Sequence, residues 1–535
     1  MLVAAGRGAG PKFFPDDPIQ VDDDRALDAS GAESNGEGSN MYDFVEHTFM
    51  KPGERSDRPA VNVNTMDNVP DSAWFTNRIG RRPMTIEEIA QGPNRLATPN
   101  VDPWPIVRGK SAGVTPGYRV TDPTGQLYQI KYDPPGNPEM ESGAELIGAA
   151  IYHALGYNVV QGFIAEVDPA KIVIDAKATT VDLTGRRRRM TREDVDGVLA
   201  RGARQPNGKY RALASRFADG KPLGHFRYAG TRPDDPNDIY PHEHRRELRG
   251  SRVFAAWLNH DDSRGINSLD MLEGQEKRQY IRHYMFDFGS IMGSGTNGPQ
   301  APRAGNEYIL EWKPGFKTLA TLGFYVRPWA TVRYPKTARS VGPFEAEVFD
   351  PIAWRPEYPN PAFDNMQPAD AFWAARLVSR FSNEAIRAIV AKARYSEAGA
   401  AEYVAATLIK RRDKVLKAWL TAVNPLVEPT LEANGVLTFE NAAVTAGIAS
   451  PPSSYTLAWS KFDNASGEPI GSSEDTRASE PKAIAPARVV DGAQFLSVSV
   501  RTVHRDYPNW NAPTTFHFRR TSDGWQPVGL ERSTR

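Results

Sequence analysis

Chemistry-bearing residues are concentrated in one stretch, Leu258-Asn259-His260-Asp261-Asp262-Ser263-Arg264-Gly265-Ile266-Asn267, followed by Met285-Phe286-Asp287-Phe288-Gly289. Asn267 stands five residues after Asp262, and Asp287 opens an Asp-Phe-Gly turn. These types at this spacing suit phosphate chemistry. One carboxylate accepts a proton from an attacking hydroxyl, while an amide oxygen and a second carboxylate hold a divalent cation against phosphates. The same logic asks for a cation on an upstream strand. Lys131 lies in the alternating run Leu127-Tyr128-Gln129-Ile130-Lys131-Tyr132, and Glu145 follows fourteen residues later in a helical pattern. Glu145 falls off the apolar face of Met140, Ile147 and Ile151, so it can turn to a cleft and bridge Lys131; Glu141, one turn earlier, is the alternative partner.

Other polar clusters have blander readings. His242-Glu243-His244 sits ahead of the catalytic-looking stretch, but residues two apart on a helix diverge by about 200° and do not share one metal readily. With Arg245, Arg246 and Glu247 they are expected to form a solvated, ion-paired helix surface. Arg186–Arg189 reads as a solvated hairpin end. Asp234, Asp235 and Asp238 lie among Pro233 and Pro236, as in a loop leading into a helix.

The elements that must position these residues follow from composition and periodicity. Residues 1–100 read as an irregular arm or cap, acidic and rich in Gly, Pro and Ser through its first half. Residues 101–230 mix short strands with the helix Met140–Leu155, which Gly156 closes. A strand pair is expected around Lys171–Asp182 and Tyr210–Phe217. From 231 to 425 the chain turns helical, with a helix from Pro241 through Trp257 and two more over Ala369–Arg394 and Ala400–Val423. The stretch 296–366 has no readable pattern. Residues 426–535 alternate as a separate small β-sandwich, shown by Leu496, Val498 and Val500 against Ser497, Ser499 and Arg501.

Composition bounds the function. The 535 residues carry 65 Lys+Arg and 65 Asp+Glu, a net charge of zero, which argues against wholesale nucleic-acid binding. No run approaches the ~20 apolar residues of a transmembrane helix. With no cysteine, thiolate catalysis, thiolate-bound zinc and disulfides are excluded. That absence, and the small apolar residues of Met1–Gly10, suit a periplasmic or secreted protein, with a cytoplasmic one as the alternative.

The order Lys131, Glu145, His260-x-Asp262, Asn267, Asp287-Phe-Gly resembles the protein-kinase-like superfamily over about residues 105–425. It is most similar to the atypical HipA-like, CotH-like and secretory-pathway kinases, and less so to the aminoglycoside phosphotransferases. The resemblance implies an α+β, two-lobed fold, with ATP and Mg²⁺ (or Mn²⁺) between a strand-rich lobe and a helical lobe. It implies Lys131 as the phosphate-binding lysine, Glu145 as its partner, Asp262 as the base, and Asn267 and Asp287 as metal ligands. Departures from the family pattern are clear. No G-x-G-x-x-G precedes the strand; its substitute is Gly109-Lys-Ser-Ala-Gly113-Val-Thr-Pro-Gly117, where Gly113 and Gly117 would cover the phosphates, and no Ala-Pro-Glu follows Asp287. The expectation is therefore transfer of the ATP γ-phosphoryl group to a hydroxyl of an unknown protein, glycan or small molecule. A non-catalytic scaffold of the cell envelope, and AMP transfer on the same fold, stand as alternatives.

Overall fold

The structure, a computed structural model, describes residues 10–36, 39–50, 55–110, 115–182, 184–275, 277–332, 334 and 338–533. It is a mixed α/β assembly of several sheets. A seven-stranded sheet comprises β1 (Pro105–Gly109), β2 (Gly117–Thr121), β3 (Leu127–Tyr132), β4 (Gly162–Val167), β5 (Val173–Val181), β6 (Arg187–Arg189) and β7 (Tyr210–Arg216), in the order β4-β7-β3-β2-β1-β5-β6. On β3 the period of two is strict: Tyr128, Ile130 and Tyr132 are buried in the sheet's core, which turns Lys131 to the opposite face. Lys131 pairs with Gly117 on one side and Leu213 on the other. Gly117 is required there, because a Cβ would collide with the Ile130 carbonyl oxygen.

The helix Met140–Leu155 follows β3 directly, held at its start by Asp133, whose carboxylate accepts from the Ser142 amide at 2.8 Å and hydroxyl at 2.7 Å. Ala144, Ile147, Ile151 and Leu155 are fully buried. Gly148 lies against Phe288 so closely that any side chain would strike the ring, and this small residue seats the helix on the Asp-Phe-Gly turn. The helix shares one core with the helices Arg246–Leu258, Pro368–Val378, Asn383–Ala391 and Ala400–Trp419.

Between Asn267 and Asp287 the chain forms a hairpin that a purely helical reading of this region misses. Strand β9 (Ser268–Gln275) pairs antiparallel with β10 (Arg278–Met285), Ser268 opposite Met285, with β8 (Lys221–Gly224) at its edge. This register sets the flanking residues side by side, and the Phe286 amide reaches the Asn267 carbonyl at 3.4 Å. Two residues twenty apart in sequence are thereby brought to one place by backbone pairing alone.

Several other expectations are corrected. The strands near 173–181 and 210–216 form but do not pair with each other: β5 joins β1 and β6, and β7 joins β3 and β4. The helix expected over Ala369–Arg394 breaks into two at Ser382, whose hydroxyl caps the second by accepting from the Ala385 amide at 3.1 Å. The helix expected from Pro241 begins with a 3₁₀ turn, His242–His244, and becomes α-helical at Arg246. Its charged entry is buried rather than solvated: Arg245, Glu247 and Arg249 are at most 1% exposed. Burial is possible because the charges are matched, Arg245 with Asp238 at 3.1 Å and Arg246 with Asp370 at 3.0 Å. The stretch 296–366 contributes the helix Trp312–Ala320 and the short turn of helix Pro361–Asp364.

The stretch expected to be an irregular arm also carries two short helices, Asn40–Val45 and Ile86–Gln91, and is strapped down. Phe13 packs on Phe462 and His517 of the C-terminal strands, and the Ala29 amide bonds to the Gln279 carbonyl at 2.8 Å. The C-terminal strands form two antiparallel sheets, of three and five strands, around a shared core that includes Phe439, Trp459, Val498 and Phe516.

Candidate active site

Lys131 and Asp287 meet across 156 residues of sequence, the lysine Nζ donating to Asp287 Oδ1 at 2.6 Å. β3 delivers the lysine, and the hairpin delivers the aspartate at the first residue after β10 and Phe286. Asp287 is held in the left-handed region at φ 64°, a conformation that Asp and Asn tolerate better than other non-glycine residues. Burial works against the Lys131 ammonium, but the carboxylates of Asp287, Glu145 and Glu141 outweigh it and hold its pKa above the usual lysine value. Burial likewise opposes ionisation of Asp287, yet Lys131 overcomes it and its pKa is lowered.

Glu145 is brought to the same place but not as the direct partner of Lys131. Its carboxylate accepts from the Phe288 and Gly289 amides, and burial raises its pKa against the pull of Lys131. Glu141 lies one turn earlier, packed against Gly289, with Oε1 accepting from the Thr115 hydroxyl at 2.9 Å. Both glutamates are about 5% exposed, and each leaves one buried oxygen, Oε2, without a hydrogen-bond partner. Burial pushes the Glu141 carboxyl up to about 8, from an ordinary 4.5. Between those values the folded chain holds a proton that the unfolded chain has shed, so this group's contribution to stability falls as pH rises. Glu141→Gln, neutral throughout, is expected to flatten the fall. Its free energy of unfolding in urea, relative to that of the unmodified protein, should rise by about 3–4 kcal/mol between pH 5 and pH 8.

The second group sits on the loop after the Arg246–Leu258 helix. Asn267 Nδ2 donates to the Asp262 carbonyl at 2.8 Å, which ties the loop's two ends together. The Asp262 carboxylate is ion-paired with Arg264, whose guanidinium also holds Glu357 at 2.8 Å. His260 is buried between Tyr152 and Phe288 with neither ring nitrogen hydrogen-bonded, and burial takes its pKa down to about 4. Its packing on Phe288, with ring centroids 5.8 Å apart, joins this loop to the Asp287 turn. Asp261 points elsewhere, accepting from Gln300 Nε2 at 2.7 Å, and burial beside Glu357 raises its pKa to about 7.

Of the two glycines expected over phosphates, Gly113 lies outside the described residues, and Gly117 is the first residue of β2, in register with Lys131. A residue not singled out in the sequence completes the cluster. Lys110 donates to the Thr115 carbonyl at 2.9 Å, and burial with Lys131 nearby lowers its pKa to about 8. Its position next to Gly109 at the end of β1 was the available signal. Arg264 was missed as well, although it stands only two residues beyond Asp262 in the same loop.

Asp287, Glu141, Glu145 and Asn267 carry hard oxygen donors of the kind Mg²⁺ and Mn²⁺ prefer, and each glutamate has one buried oxygen free, but among the described residues no three acids or histidines stand as a ready metal-binding group. Lys131 and Lys110 supply positive charge beside them.

No protein-family model matches the sequence, and no curated protein matches it. Among solved structures, the chain is similar to the crystal structure of the Golgi casein kinase with Mn/ADP bound. The likeness has 8% identity and a TM-score of 0.27, covering 59% of this chain and 72% of that one. A likeness this distant carries no weight beside the side-chain geometry.

Proposed function

We propose that the protein is an ATP- and divalent-metal-dependent phosphotransferase with an atypical kinase-like cleft, transferring a phosphoryl group to a hydroxyl. The observation that carries this reading is the convergence of Lys131, Asp287, Glu145 and Glu141 on one spot, the glutamates buried and Asp287 open to solvent, its members drawn from a strand, a helix and a post-hairpin turn. Lys131 and Lys110 would bind phosphate oxygens, and Glu145, anchored on the Phe288 and Gly289 amides, would keep the lysine from following Asp287 out of place. Asp287 and Asn267 would hold the metal, whose contribution is neutralisation of phosphate charge. Asp262 would take the hydroxyl proton once Arg264 turns to Glu357. Residues 101–230 and 231–425 are the two lobes in this reading.

Binding is the direct test. ATP with Mg²⁺ at a hundredfold excess over its dissociation constant should stabilise the protein by about 2.7 kcal/mol, seen as a raised thermal midpoint. Lys131→Met should lose most of that shift. A nucleotide titration that leaves the midpoint unchanged in the unmodified protein refutes the proposal.

One observation favours the non-catalytic alternative: the Asp262 carboxylate is already occupied by Arg264. If that pair persists with nucleotide bound, Asp262 cannot act as a base. A protein that gains stability with ATP–Mg²⁺ yet transfers neither phosphate nor AMP, judged by intact mass of the products, would be such a scaffold.

A further inference from the structure

At the other end of the Met140–Leu155 helix, about 18 Å along its axis from Glu141 at 1.5 Å per residue, lies a polar cavity of about 230 Å³. Arg78, Arg95, Arg216, Arg282 and His153 line it together with Tyr284. Two of the four arginines are neutralised in place, Arg216 by the exposed Asp219 at 3.0 Å and Arg282 by Glu273 at 2.7 Å. The other two are not. Arg78 donates to the carbonyls of His153 at 2.8 Å and Tyr157 at 3.1 Å, and Asp71, the acid that acts on it, is held by Arg81 at 3.1 Å. Arg95 reaches His153 Nε2 at 3.4 Å, and among the described residues no carboxylate pairs with either Arg78 or Arg95.

His153 supplies a second, independent observation. It is 6% exposed, and its Nδ1 is buried without a hydrogen-bond partner. A guanidinium only donates, so His153 Nε2 accepts from Arg95 and the ring proton stays on Nδ1. That leaves a buried N–H donor unmet beside Arg78, on which Asp71 acts only at a distance, and Arg95, which is exposed and has no carboxylate closer than Glu88's distant pull. Burial and the two arginines keep the imidazole neutral, its pKa down at about 3, and burial with Arg95 nearby takes Arg78 down to about 10. Repulsion of this kind is relieved by an anion. The room suffices for a tetrahedral oxyanion with several waters, each of which occupies ~30 Å³ in the liquid.

We propose that this pocket binds a phosphate dianion, free or as the terminal group of a small phosphomonoester, with Arg78 and Arg95 as its donors. Guanidinium forks match the geometry of phosphate oxygens. The site is distinct from the Lys131–Asp287 cleft and does not depend on the reading given to that cleft.

The test is a thermal-unfolding titration of the full chain with inorganic phosphate, chloride being exchanged out to hold ionic strength constant. A saturable rise in midpoint is expected for the unmodified protein and also for Asp287→Asn, whose cleft is altered. Arg95→Gln should weaken phosphate about tenfold or more, since a charged hydrogen bond is lost. Arg95 is exposed and holds no backbone carbonyl, so this variant is expected to fold normally; Arg78→Gln, which loses two carbonyl contacts, is the second variant. A parallel titration with glycerol 3-phosphate separates the sources: an equal rise supports a phosphomonoester, and a rise with inorganic phosphate alone supports the free ion. A flat titration with both probes overturns the proposal. So does an Arg95→Gln curve superimposed on the unmodified one, or an effect that vanishes in Asp287→Asn.

Discussion

Asp287→Asn is expected to reduce ATP-dependent phosphoryl transfer by about 10³-fold or more, the size of effect seen when one preorganised charge is removed from a reacting phosphate or oxyanion. Asparagine is the informative replacement. It tolerates the left-handed backbone at φ 64° and keeps the volume, so only the charge is lost. Lys131 is not stranded by the change, because Glu145 and Glu141 already act on its ammonium. Asp287 in turn raises the Glu141 pKa, so its removal lets Glu141 ionise more readily and take over as counter-charge. The melting temperature should therefore move little while activity collapses. Labelled-phosphate transfer from ATP, measured beside a melting curve, checks both halves. Transfer undiminished in Asp287→Asn would remove Asp287 from the chemistry and leave the Lys131 pair a structural one.

The parts of this site that were legible in the sequence are those fixed by short spacing. Asp262 and Asn267 lie five residues apart on one loop, and Asp287-Phe-Gly is a contiguous triplet, so types and intervals sufficed. Lys131 and Glu145 were placed correctly on a strand and the following helix, because period-two and period-3.6 patterns are strong there. What spacing could not give was the partner. Lys131 takes Asp287 over Glu145 because the hairpin brings Asp287 to 2.6 Å, and the pairing of β9 with β10 is encoded weakly. Its strands carry Asp270, Glu273, Arg282 and His283, and polar pairs such as His283 with Asp270 at 2.7 Å share the burial with Leu272, Ile281 and Met285, which blurs the apolar pattern. The same blindness applies to Arg245, Arg246 and Arg249: a charged run normally signals solvent, and only the fold shows that acids from 67, 238 and 370 meet it in the interior. The Arg78–Arg95–His153 pocket is assembled from separate segments and has no local signal at all.

Asp370→Ala should cost about 3–5 kcal/mol, the expected loss when one member of a buried ion pair is deleted and its partner stays behind. Asp370 is fully buried on the Pro368–Val378 helix, with Oδ1 accepting from Arg246 Nε at 3.0 Å and Oδ2 from Arg249 Nη1 at 3.4 Å. Oδ2 also caps the helix by accepting from the Gln367 amide at 2.9 Å. Arg246 retains Asp67 after the change, but among the described ion pairs Arg249 has no other carboxylate, and its side chain is 0% exposed. A guanidinium sealed in the core with only the weaker pull of Glu243 left to it accounts for most of the expected loss. Asp370→Asn keeps the volume and one acceptor oxygen, enough for the cap and the Arg249 contact, but turns an NH₂ donor towards Arg246 and removes the charge; it should lose less than Asp370→Ala, and the difference measures packing and capping. Urea midpoints at pH 7 measure both. The contrast with Asp287 is the point of the pair. Both are aspartates bound to a cation, but the Asp287 side chain is 39% exposed and Lys131 has further carboxylates beside it, so this aspartate can be removed at the expense of activity alone, whereas Arg249 leans on the fully buried Asp370 and should transmit the loss to the whole helical core. If Asp370→Ala melts with the unmodified protein, water must reach Arg249, and the interior ion network is weaker than its geometry implies.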